Sequence, residues 1–194
     1  MGGNIIKKSI EKTLQEISDI ITEISLLDDQ IVLVINEIIN AIKQGKKIIL
    51  FGNGGSAADA QHIAAEFLGR FLIDRKSFPA IALSTNSSTL TALGNDYSFD
   101  TVFSRQCEAL VDVGDVVIGI STSGTSKNIV EGLKTSKLRG AKTIGLLGKD
   151  GGSVKNLVDI PIIVKSEHIP HIQEVHRVIY HIICDHVEKL LKSD

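Results

Sequence analysis

Beyond Gly45 the chain alternates short, wholly apolar runs with longer amphipathic stretches, and this rhythm narrows the possible folds more than any other feature. The runs fall at 48–51, 80–83, 116–120, 143–147 and 160–164. Each is rich in Ile, Val, Leu or Ala and lacks the polar alternation of a half-exposed strand. Strands buried on both faces of a parallel sheet read this way. Helical patterns separate most of them, over about 57–71, 99–110 and 126–139, and a last one covers about 171–191. The alternation predicts an α/β fold, a five-stranded, mostly parallel, doubly wound sheet flanked by helices with right-handed crossovers. Ligands bind such sheets beyond the carboxyl ends of the strands. The loops after Phe51, Leu83, Ile120 and Leu147 are therefore the places to search.

Residues 1–45 read as a helical pair. Ile6, Ile10, Leu14, Ile17, Ile21 and Ile24 recur at three- and four-residue steps over about 5–27, which lines one helix face. Asp28 and Asp29 are placed to cap a second helix over about 30–43, and Gly45 ends it. Such a pair needs a surface to cover, either the domain's own core or another subunit. The 194 residues predict one domain over 1–194, with the helical pair (1–45) ahead of an α/β core and C-terminal helix (46–194). A net charge of −2 lacks the basic footprint of a nucleic-acid binder. The richest early apolar stretch, 31–42, is broken by Asn36, Glu37 and Asn40, short of the roughly 18 apolar residues a membrane span needs. The first residues lack the basic start and apolar segment of a secretory signal. Cys107 and Cys184 stand far apart and make no disulfide framework. The expectation is a soluble, cytoplasmic protein with no nucleic-acid or membrane partner.

Two loops carry the functional signal. In the first, Phe51-Gly52-Asn53-Gly54-Gly55-Ser56 passes directly from a strand into a helix. Glycines allow a sharp turn and close approach of a ligand, and the free N–H groups of the helix start suit an anion. A plain strand-to-helix turn with Ser56 as N-cap has the same composition. No Gly-Lys-Ser/Thr follows, so this is not a Walker loop. The second loop, Ser121-Thr122-Ser123-Gly124-Thr125-Ser126, offers five hydroxyls in six residues, again between a strand and a helix. Serines and threonines are common in turns, yet backbone N–H groups, hydroxyls and a helix start can also hold a phosphate monoester without lysine. Two such loops at the strand ends of one sheet point to phosphate or phosphosugar binding.

These two loops resemble the signature of the sugar-isomerase (SIS) domain family. Further stretches, at 62–70 from His62 to Arg70, at 92–97 around Asn95 and Asp96, and at 172–176 around Gln173, resemble its phosphoheptose isomerase branch. The similarity covers nearly the whole chain. One departure is Asn86, where relatives often carry an acid. The resemblance implies a phosphosugar aldose–ketose isomerase acting on sedoheptulose 7-phosphate to give D-glycero-D-manno-heptose 7-phosphate, for bacterial surface-polysaccharide heptose. It also implies a homotetramer with active sites at subunit interfaces. Alternatives in the same fold are a binding module for the bacterial replication initiator, a sugar-phosphate sensor, or an isomerase of another phosphosugar.

His62 and Glu66 stand four residues apart, on one face of the helix after the first loop. Ketose–aldose exchange moves a proton between adjacent carbons through an enediol, which a carboxylate base and a second acid/base group can manage. His171, His176, His181 and His186 are spaced by five on the last helix and cannot share a face. The resemblance singles out His181 as the partner of Glu66 in catalysis. It assigns zinc to His62, Glu66, Gln173 and His181. It assigns substrate contacts to Asn53, Gly54, Gly55, Ser56, Glu66, Asn95, Asp96, Ser121, Thr122, Ser123, Ser126 and Gln173. The zinc set carries a difficulty. Gln173 and His181 lie about 12 Å apart along one helix, whereas zinc bonds are near ~2 Å. Either the first turn of that helix is bent, or different subunits contribute.

Overall fold

The five apolar runs form the five strands of one sheet. In the computed structural model, which describes residues 2–192, they are β1 (Ile48–Gly52), β2 (Ala80–Ala82), β3 (Val116–Ser121), β4 (Lys142–Gly148) and β5 (Ile160–Val164). Every neighbouring pair is parallel, in the order β2-β1-β3-β4-β5. Successive side chains point to opposite faces, so Ile48 and Leu50 enter one core while Ile49 and Phe51 enter the other. Helices α2 (Asp28–Lys43), α3 (Gly55–Leu68) and α7 (Ile169–Lys192) cover the first face. Helices α5 (Ser104–Leu110) and α6 (Lys127–Leu138) cover the second. Both faces are thus dry, which is why the strands carry no polar alternation. A fully buried Val34, Ile38 or Ile129 contributes about 1.5–3 kcal/mol each.

The helical boundaries differ from the sequence reading in ways that have local causes. The first helix, α1 (Gly2–Thr22), stops short and gives way to a 3-10 turn, Glu23–Leu27. Thr22 Oγ1 donates to the Ser18 carbonyl (2.9 Å) and Ser25 Oγ to the Thr22 carbonyl (3.0 Å), and such back-bonding competes with the helical ladder. The tightened turn buries Ile24, while Ile5, Ile6, Ile10 and Leu14 of α1 remain more than half exposed. Asp28 and Asp29 do not cap α2. Leu27 holds the cap position, and the two carboxylates occupy the first turn, where they complement the helix dipole.

The sequence reading left 87–96 without an element, and the structure has a helix there, α4 (Ser87–Asp96). Asn86 is its N-cap, its Oδ1 accepting the Thr89 N–H at 3.0 Å. Asn and Asp cap equally well, so Asn86 performs this local task without a carboxylate. Asn95 and Asp96 are the last two residues of α4. The helix expected over 99–110 is split into a 3-10 turn, Phe99–Thr101, and α5.

The strand order sets the position of the site. From β1 the chain goes to β2 on one side, then returns to β3 on the other. The loops leaving β1 and β3 therefore diverge and open a crevice at the carboxyl ends of these two strands, the switch point of a doubly wound sheet.

Candidate active site

Both small-residue loops lie at this switch point. The first turns at Gly54, whose φ of 54° and ψ of −120° make it the cap of α3 without any side-chain bond. Ser56 is not the N-cap. It sits in the first turn of α3, its N–H donating to the Asn53 carbonyl (3.0 Å), and it is buried. Gly55 and Gly54 are exposed at the helix start, where N–H groups stand free for an anion.

The second loop folds on its own hydroxyls. Ser121 Oγ accepts the Gly124 N–H (3.1 Å), and Ser123 Oγ accepts the Thr125 N–H (3.3 Å). Each hydroxyl used as an acceptor keeps its own proton to donate. Ser126 caps α6 in position but makes no capping bond through its side chain, which leaves that hydroxyl available. Gly124 has a φ of 64°, and a Cβ there would lie 2.1 Å from the Gly151 carbonyl oxygen. The turn after β4 thus braces the second loop backbone to backbone, with the Val154 N–H donating to the Gly124 carbonyl (3.0 Å).

Beyond the first loop, α3 and α7 carry the titratable groups. His62 Nε2 is 2.9 Å from Glu66 Oε1. The His181 ring lies 5.3 Å from the His62 ring, between centroids, and the Phe71 ring packs on it at 5.4 Å. Burial and the neighbouring His62 hold His181 below the usual imidazole value, which keeps it neutral at pH 7. The side chains of His62 and Glu66 remain 38% and 21% exposed, enough for a substrate to reach them.

Three residues outside the sequence reading hold this group from behind. Arg177 donates through Nε to the Tyr180 hydroxyl (2.9 Å) and through Nη2 to Asp59 (3.0 Å). Tyr180 donates to Asp59 (3.3 Å), and its oxygen lies 3.2 Å from His62 Nδ1. Burial and then Asp59 push the phenol up to about 12, so it stays protonated. With that proton on Asp59, the phenolic oxygen accepts from His62 Nδ1–H. In that tautomer His62 Nε2 turns a lone pair toward Glu66, a pair of acceptors suited to a cation; with the Tyr180 proton donated to Nδ1 instead, Nε2–H donates to Glu66. Asp59 could have been suspected from the sequence as an acid in an otherwise small-residue helix face. Arg177 and Tyr180 carried no signal there.

The structure does not gather every residue of the expected set. A Cβ on Gly55 would lie 2.5 Å from Gln173 Nε2, so the Gln173 amide sits over the first loop. His181, in contrast, lies beside His62, seven residues further along α3 and about 10 Å away. Asn95 and Asp96 stand exposed, Asn95 donating to Asp96 (2.8 Å). Among the described residues no three His, Cys, Asp or Glu side chains converge as a formed metal site. The donor types nonetheless suit zinc: two imidazoles and a carboxylate, one imidazole with its other nitrogen held by a phenol.

The SIS domain family matches residues 13–148. The phosphoheptose isomerase of Clostridium acetobutylicum is 52% identical over 188 residues, covering 97% of this chain and 95% of that protein. That of Pelobacter propionicus is 57% identical over 155 residues, covering 80% of this chain and 82% of that one. The solved phosphoheptose isomerase of Neisseria gonorrhoeae superposes with a TM-score of 0.90 at 37% identity, over 95% of this chain and 99% of that one. By fold and by these similarities, the chain belongs to the phosphoheptose isomerase family of SIS-domain enzymes.

Proposed function

We propose that this enzyme converts sedoheptulose 7-phosphate to D-glycero-D-manno-heptose 7-phosphate, supplying heptose for bacterial surface polysaccharide. The observation that carries the reading is the His62–Glu66–His181 group standing directly beyond two anion-suited loops at one switch point. The substrate phosphate is held by the hydroxyls of Ser56, Ser121, Thr122, Ser123 and Ser126. Asn53, Gly54, Gly55, Asn95, Asp96 and Gln173 contact the sugar. Glu66 takes the C1 proton of the ketose, leaving an enediolate, and the proton is returned at C2. His181, neutral at pH 7, carries the proton between the two oxygens. Zinc, on His62, Glu66 and His181 with Gln173 as fourth donor, would polarise the carbonyl when bound.

The separation of Gln173 from His181 along α7 favours a site completed by another copy of the chain. The uncovered apolar stripe of α1 supports self-association, and we read the assembly as a homotetramer of single-domain chains. No helix among the described residues is long and apolar enough to cross a membrane, and the buried, unpaired thiols of Cys107 and Cys184 fit a cytoplasmic setting. The replication-initiator binding module is not favoured, because an acid/base pair at the substrate loops has no use there.

The test is incubation with sedoheptulose 7-phosphate, with products followed by NMR with and without chelator. The aldose should form, chelation should slow it, and Glu66→Gln should abolish turnover while retaining binding. Parent-like turnover by Glu66→Gln would remove the assigned base.

A further inference from the structure

Asn53 is the first residue beyond β1, and Asn128 is the second residue of α6, which follows the β3 loop. The two side chains meet across the switch point, seventy-five residues apart in sequence, through a reciprocal amide pair. Asn53 Nδ2 donates to Asn128 Oδ1 at 2.9 Å, and Asn128 Nδ2 donates to Asn53 Oδ1 at 2.9 Å. Such a pair uses one N–H and one lone pair of each amide and leaves one of each free. Asn128 is only 3% exposed, whereas Asn53 is partly exposed, so the free N–H and lone pair of Asn53 are the ones a ligand can reach.

Neither amide can turn over alone, because a single flip would set N–H against N–H and oxygen against oxygen. The pair also ties the start of α3 to the start of α6, the two helix termini that flank the loops. Strands β1 and β3 are already in register up to Gly52 and Ile120. The clasp joins the two segments beyond the last β1–β3 pair, where their backbone pairing has stopped.

We propose that Asn128 is a positioning residue for substrate binding: it fixes the Asn53 amide toward the sugar and holds the two loops at one spacing. The proposal rests on the phosphosugar reading given above. Without the clasp, Asn53 must be ordered anew by each incoming ligand, and that cost falls on binding rather than on the chemical step.

The test measures KM and kcat for sedoheptulose 7-phosphate in the parent, Asn128→Ser, Asn53→Ala and the double variant, with thermal midpoints of each. Losing one ordered side-chain hydrogen bond corresponds to a KM increase of about tenfold. Asn128→Ser should show it with kcat within about threefold of the parent, and the double variant should be no worse than Asn53→Ala alone. A KM change under about threefold, or a double variant whose rise is the product of the two single ones, overturns the proposal. A purely structural Asn128 would lower the thermal midpoint and the active fraction, which moves kcat and leaves KM in place. Should Asn128→Ser fail to fold, Asn128→Leu carries the same comparison, since its side chain keeps the shape and neither donates to nor accepts from the Asn53 amide. A parent that leaves the heptulose unchanged defeats the functional reading instead. The coupling is then read, with the same thresholds, from dissociation constants for sedoheptulose 7-phosphate, and a parent that does not bind it defeats the proposal as well.

Discussion

Glu188→Gln probes how firmly the segment behind the acid/base group is held. Glu188 is buried near the end of α7. Its Oε1 accepts the Phe71 N–H (3.0 Å), and its Oε2 accepts those of Leu72 and Ile73 (2.7 and 2.8 Å). Arg75 Nε lies 3.0 Å from Oε1 as an ion pair without hydrogen-bond alignment. Arg75 in turn donates to the carbonyls of Glu66 (2.8 Å) and Phe67 (2.9 Å), and Phe71 packs on His181. In the Gln variant one oxygen becomes an amide N–H, and either orientation sets it against at least one backbone donor. A stranded buried donor costs about 1–3 kcal/mol, and breaking a buried ion pair about 3–5 kcal/mol. Arg75 keeps its carbonyl partners, which places the expected loss near the low end, about 3 kcal/mol.

The assay is urea unfolding followed by circular dichroism at pH 7 and fixed protein concentration, because self-association would make stability concentration-dependent. Glu108→Gln, at an exposed position, is the control and should stay within about 0.5 kcal/mol. Burial raises the Glu188 pKa, but the three N–H groups and Arg75 outweigh it and hold the carboxyl below 4.5. A depressed carboxyl stabilises the fold above its unfolded value and loses that contribution as pH falls through the folded value. The gap between parent and variant should therefore be full above pH 4.5 and close below it. A loss under about 1 kcal/mol at pH 7 would refute the reasoning, since the carboxylate would then be replaceable by any acceptor.

Two further outcomes are expected. Gly124→Ala sets a methyl against the backbone of Gly151 at a positive φ. Overpacking and left-handed strain should together cost about 3 kcal/mol in urea unfolding and weaken phosphate binding by NMR titration. His176 is fully buried, with Nε2–H donating to the Leu147 carbonyl (3.0 Å), and burial pushes its pKa down to about 4. The unfolded chain binds a proton there first, so stability should fall by roughly 3 kcal/mol as pH drops from 6.5 to 4. His176→Gln should flatten that limb of the stability–pH curve.

The strands were legible because burial on both faces leaves an uninterrupted apolar run, and all five fall within two residues of their expected bounds. The helix of Ser87–Asp96 was missed because none of its residues is buried and it lacks a clear apolar stripe. In the site, His62 with Glu66 follows from helical spacing alone. The nearness of His181 does not, since it depends on how α7 is laid against α3.

Local pattern by itself determined that this chain makes a parallel α/β sheet and that two small-residue loops follow its strands, because periodicity and turn chemistry act between residues close in sequence. Tertiary packing alone decided which groups meet across it: Asn53 with Asn128, His62 with Tyr180 and His181, Glu188 with Arg75 and the N–H groups of Phe71, Leu72 and Ile73. Each of those pairs joins segments tens of residues apart or more. Their juxtaposition is set by the strand order and by the angle at which helices seat on the sheet, neither of which any short stretch of residues encodes.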